Sequence, residues 1–152
     1  MEIGLTVTAD GGLAFEDGAD RGRVIVSGSD TGGRYALMEW TVAPGCSAAL
    51  SFGAHRHGAL EETFYVRSGQ LEFLLGEVVS TLGPGDFVRV PPGVRHGYAN
   101  VSDKPVELLV GFHPGGFEAL FLKYRTDQAG PPAGPGFMEE AGLDHATTFE
   151  AD

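Results

Sequence analysis

Two histidines stand two residues apart, His55 and His57. Adjacent carboxylates follow at Glu61 and Glu62, and a third histidine, His96, comes after a Pro91-Pro92-Gly93 turn. Alternate side chains of a β-strand share a face, so His55 and His57 project together. Imidazole is a common ligand for Zn, Cu, Fe and Ni, and a carboxylate widens the choice to Mn. Two histidines of one strand, a carboxylate from the next segment and a histidine from a distant strand can therefore hold one divalent ion. Positions remain open for water, a substrate oxygen or dioxygen. A His-x-His pair alone is equally what a strand with surface or hydrogen-bonded histidines looks like, so the weight falls on its surroundings.

Those surroundings read as β-structure. Residues 34–42 alternate over their whole length, with Tyr35, Leu37, Glu39 and Thr41 on one face and Ala36, Met38, Trp40 and Val42 on the other. Shorter strands are expected at 23–27, 62–67, 70–75, 78–82, 87–90, 96–101 and 106–112, with the histidines on a strand of their own. Leu5, Val7 and Phe15 suggest a further edge strand. Many of the 24 glycines and 9 prolines stand between these runs as turn residues. Nine to eleven short strands at this spacing indicate a sandwich or barrel. After Gly116 the period changes. Phe117, Leu120, Phe121 and Tyr124 form the apolar stripe of a helix ending near residue 127, placed as a lid on a barrel mouth or as packing on the outer sheet. A Gly/Pro-rich linker covers 130–136, and a second short helix fits 138–145. The chain divides into an N-terminal segment (1–22), a β-barrel (23–113) and a C-terminal extension with an acidic tail (114–152) that belongs to the same unit.

Composition excludes several functions. A net charge of −11 with only ten Lys and Arg argues against a nucleic-acid surface and against anionic membranes. One cysteine, Cys46, leaves no internal disulfide and reads as a small apolar residue. Residues 1–7 lack the basic start and sustained apolar core of a signal peptide, and no run reaches transmembrane length, so a cytoplasmic location is expected. His113 and His145 fall outside the histidine-bearing motifs and read as surface or tail residues.

The motifs resemble those of the cupins. The first cupin motif matches His55-x-His57, four residues, Glu62, six residues, Gly69. The second matches Gly85, five residues, Pro91-x-Gly93, two residues, His96, three residues, Asn100. Fifteen residues separate Gly69 from Gly85, the compact spacing of small microbial members. One position departs: the glycine expected before the first histidine is Ala49, and the loop at 46–54 reads as longer, altering packing or access at the barrel mouth. The resemblance implies an all-β fold, a double-stranded β-helix or jelly-roll barrel, with a short C-terminal helical extension. It also implies metal ligands at His55, His57, Glu62 and His96. The six-residue gap to Gly69 selects Glu62, leaving Glu61 as a solvated strand residue. Gly69, Gly85 and Gly93 read as turn residues, some at positive φ, and Asn100 as a side chain that bonds backbone at a turn.

Strand parity from Glu62 and His96 points Phe64, Val66 and Tyr98 inward. Met38, Trp40, Phe73 and Phe112 are expected neighbours, giving an apolar, aromatic-tolerant pocket. Each of these side chains is equally suited to a plain core. Glu62 as a base and Tyr98 as a proton donor are the candidate catalytic groups. The expected cofactor is one divalent transition metal ion, with Fe, Mn, Ni, Zn and Cu all compatible. The resemblance to quercetinase-like members implies an oxygenase acting on a small aromatic or enolic substrate. The alternatives are a non-redox isomerase or polyketide cyclase, and a non-catalytic binder. It further implies a homodimer formed through N-terminal strands.

Overall fold

A computed structural model describes residues 4–45, 54–125 and 147–149. Among the described residues eleven strands form two sheets, with every strand pair antiparallel. The first sheet has the order β1-β2-β3-β10-β5-β8, and the second β11-β4-β9-β6-β7. This is the two-sheet jelly roll expected from the motifs.

The first sheet is built on β3 (Ala36–Val42), whose strict alternation is reproduced in its burial: Ala36, Met38, Trp40 and Val42 are buried, and the residues between them are half-exposed. It pairs with β2 (Asp20–Val26) on one side and β10 (Val106–His113) on the other. β10 continues into β5 (Glu61–Ser68), and β5 into β8 (Phe87–Val90). The second sheet carries β4 (His55–His57), β6 (Leu71–Leu75), β7 (Val78–Leu82) and β9 (His96–Ala99). The inward faces bury Val66, Leu71, Phe73, Val90, Leu108 and Val110 between the sheets in one apolar cluster. Burial of this kind, at roughly 25 cal/mol per Å² of apolar surface, is what holds the sheets together.

Two sequence expectations are corrected at the N-terminus. Leu5 and Val7 lie outside any strand; the edge strand is β1 (Leu13–Asp17), hairpinned to β2 through the turn at Gly18. Residues 8–11 instead form a turn, held by a Gly11–Thr8 backbone bond and by the Arg23 guanidinium donating to the Gly11 carbonyl. Residue 22, the end of the N-terminal segment by composition, falls inside β2. Gly22 is required there because the Phe15 ring lies across it, where a Cβ would collide.

Beyond β10 comes α1 (Glu118–Arg125), the helix expected from the apolar stripe; its expected end near residue 127 lies outside the described residues. It packs on β1, and Phe117, the residue just before it, reaches His57 of the second sheet. The C-terminal region holds a strand that the sequence reading lacked: β11 (Thr147–Phe149) pairs with β4 along its outer edge. Cys46, most of the loop at 46–54, the 130–136 linker, the 138–145 helix and His145 lie outside the described residues.

Gly69 illustrates how the motif glycines work. Its φ is +84°, and a Cβ would approach the Pro105 carbonyl oxygen at 2.7 Å and Val106 Cα at 2.9 Å. Gly69→Ala is therefore expected to lower stability by about 1–3 kcal/mol through backbone strain, measured as a fall in the thermal midpoint.

Candidate metal centre

β4 is only three residues long, and it brings His55 and His57 beside β9, where His55 is in register with His96. The Pro91-Pro92-Gly93 turn is tied to the same strand: the Gly93 N–H donates to the His57 carbonyl at 2.7 Å. After a short turn the chain enters β5, where Glu62 stands between Phe112 of β10 and Val90 of β8. Parity separates the adjacent carboxylates as expected. Glu61 faces outward and pairs with Arg89 at 2.6 Å, whereas Glu62 is buried.

One ligand atom from each of His55, His57, Glu62 and His96 lies within 4.8 Å of the others. His57, Glu62 and His96 are buried, and His55 is half-buried. Glu62 Oε2 is the meeting point, 2.7 Å from His96 Nε2 and 3.1 Å from His57 Nε2. His96 Nδ1 is 3.0 Å from the Val94 carbonyl, so its N–H donates there and the Nε2 edge turns to the cluster. This is the outer partner that orients a metal-ligating imidazole.

Burial alone would raise the Glu62 carboxyl, but the hydrogen bonds and charge of His57 and His96 outweigh it and hold it below the usual carboxylate range. Burial pushes His55 down to about 3, helped by the neighbouring histidines and opposed by Glu62. For His96 burial acts downward, but the bond to Glu62 overcomes it and the net direction is up. An ionised carboxylate beside imidazoles that can shed their protons is a donor set that fits a divalent transition metal.

These directions set the pH dependence of the metal-free protein. His55 is lowered in the fold, so below its unfolded value the unfolded chain binds more protons and acid destabilises. His96 is raised, so its contribution is complete below its unfolded value and fades as pH climbs through the folded one. Both unfolded values lie near 6.5. Thermal midpoints of metal-free protein are expected to peak close to that pH, and a midpoint still rising at pH 8 would contradict the assignment.

The sequence-selected pocket residues separate into two groups. Phe64 lies near His96, with ring centroids 6.4 Å apart, and packs against Phe73 at 5.0 Å and Tyr98 at 6.0 Å. Phe112 is at the level of Glu62. Met38 is buried opposite Val110. Trp40 joins a different group, 5.5 Å from both Phe15 and Phe121. His113 is exposed beside Tyr35, as expected. Phe117 was not among the site candidates, yet its ring packs edge-to-face on His57 at 4.9 Å. Its place in the helix stripe was visible; the direction of that stripe, toward the histidine strand, was not.

A two-sheet sandwich on which three histidines and a glutamate converge defines the protein's class. Residues 38–112, just under half of the chain, match the family model described as "Cupin domain", and the two-sheet fold is that of a cupin. Over 80 residues it is 38% identical to the xanthan biosynthesis protein XanB of Xanthomonas campestris, a match covering 53% of this chain but only 16% of that protein. Among solved structures it is similar to the polyketide cyclase RemF of Streptomyces resistomycificus, at 24% identity and a TM-score of 0.60, over 73% of this chain and 80% of that one. A sugar phosphate isomerase of Silicibacter pomeroyi shares 19% identity with a TM-score of 0.59, over 72% and 75% of the two chains. At these identities the structural likenesses establish the fold. Among the described residues no helix is long and apolar enough to cross a membrane.

Proposed function

We propose that this cupin is a metal-dependent enzyme acting on a small aromatic or enolic substrate, with oxygenase-type chemistry as the first reading. The observation that carries it is the convergence of four donor atoms within 4.8 Å, three of the four side chains being buried, beside an aromatic interior. His55, His57, Glu62 and His96 would hold one divalent transition metal. Such an ion supplies Lewis acidity and, for Fe, Mn, Cu or Ni, a redox centre. Around it Phe64, Phe73 and Phe112 exclude water and favour a flat apolar ligand. Glu62 is the base of the site, able to take a proton from a substrate hydroxyl or acidic C–H. Tyr98 is the proton donor, two residues along the strand from His96 and packed on Phe64.

A non-redox isomerase or polyketide cyclase is the second reading, favoured by the likeness to RemF and to the sugar phosphate isomerase. Dioxygen uptake by the iron-loaded protein with a flavonol or catechol supports the first. Turnover without oxygen, with zinc as well as iron, supports the second. A protein that binds such compounds but turns none over with any of the five metals is a non-catalytic binder. We further propose a cytoplasmic homodimer, checked by fractionation and by light scattering in solution.

A further inference from the structure

We infer that Phe117 is a positioning residue of the metal centre: its ring sets the plane of the His57 imidazole, and α1 exists in part to deliver it. This rests on the metal-dependent reading above.

An imidazole on a strand turns about a broad, roughly two-fold χ2, so its plane must be set from outside. For His96 the Val94 carbonyl does this. His57 has the Phe117 ring, 4.9 Å away at 74° to it, with both residues buried. The ring is itself wedged, 5.3 Å from Phe112 and 5.9 Å from Phe121. Its backbone is fixed by a carboxylate staple. Glu118, 3% exposed, accepts from the Gly28 N–H at 2.6 Å and the Gly116 N–H at 2.7 Å. Gly28 and Gly115 lie so close that a Cβ on either would meet the other's backbone within 2.8 Å. The start of α1 is thereby clamped to the loop between β2 and β3, and Phe117 cannot withdraw from His57 without breaking that clamp.

The test uses metal alone as the probe. Metal-free wild type, Phe117→Leu, Phe117→Met, Phe117→Tyr and Phe15→Leu are titrated with Co(II), and the visible d–d spectrum and the Zn(II) competition constant are recorded. Far-UV circular dichroism and the emission of Trp40, the single tryptophan, monitor folding. Loss of the ring in the Leu and Met variants is expected to reshape the cobalt bands and weaken zinc about tenfold, the low end for an outer partner of a ligand. Phe117→Tyr should retain the wild-type spectrum. Phe15→Leu, whose ring lies against Trp40, should shift the tryptophan emission and leave the cobalt bands alone. Folded Leu and Met variants with wild-type bands and affinity would overturn the inference while leaving the metal reading intact. A wild type that takes up no Co(II) would overturn both.

Discussion

Replacing His96 with alanine is expected to strip the protein of its metal. The side chain is 1% exposed, and its Nε2 lies 2.7 Å from Glu62 Oε2. Loss of a single outer partner weakens metal sites by about 10–100-fold, so loss of a ligand should cost roughly a hundredfold or more. The substitution also leaves Glu62 buried with one fewer donor, and a carboxylate short of partners in an apolar setting resists ionising. Both effects lower affinity. Elemental analysis of untagged wild type and His96→Ala, purified in parallel, is the measurement. Equal stoichiometric metal in the two proteins would undo the four-ligand assignment. Circular dichroism separates loss of ligand from loss of fold, and Glu61→Gln is the matching control, because that carboxylate faces outward to Arg89.

Asn100→Ala is expected to give the largest loss of stability among substitutions away from the metal. The side chain is fully buried. Its Nδ2 donates toward the carbonyls of Val42 and Ala43, each at 3.1 Å, and of Lys104 at 2.7 Å. Its Oδ1 accepts from the Ser102 N–H at 3.1 Å and hydroxyl at 2.7 Å. One amide thus joins the end of β3 to the turn leading into β10. Alanine leaves several of these groups without a partner, each worth about 1–3 kcal/mol when buried, and they act together, so a total near 3–4 kcal/mol is reasonable. For a chain of this size that is roughly a 10 °C fall in the thermal midpoint. Metal content per folded molecule should be unchanged, since none of these partners is a ligand. A midpoint within a degree of wild type would mean the network is replaceable by water.

Much of the site was legible because its information is local. The alternation in β3 is a two-residue period, and the spacing His55-x-His57, Glu62, Gly69 carries both face and register. Glu62 could be separated from Glu61 because strand parity allows only one of them inward. The turn role of Asn100 and the positive φ of Gly69, Gly85 and Gly93 also follow from short-range pattern. What could not be read depends on distant packing. Leu5 and Val7 have apolar side chains suited to a strand, but the Thr8–Gly11 turn and the reach of Arg23 keep them out of one. Phe117 reads as part of a helix stripe, and nothing in a 3.6-residue period says which sheet the stripe will meet. Residues 147–149 are too few to show a strand period, and their pairing is decided by an open edge elsewhere in the fold.

That pairing has a thermodynamic consequence. Thr147 to Phe149 run antiparallel to His57 to His55, so two of the four donors ride on a strand bounded on one side by the far end of the chain. Closing so long a loop costs entropy before the contact returns anything, and this edge should be among the last to zip. Linkage then works in both directions. An ion bound by His55 and His57 would help to hold β4 and with it β11, and without β11 the strand would rest on its pairing with β9, the Gly93 bond and the ion. The same edge, when uncovered, is a template for an identical segment from a second molecule. A metal bound at this centre would therefore be expected to protect the same edge from strand exchange.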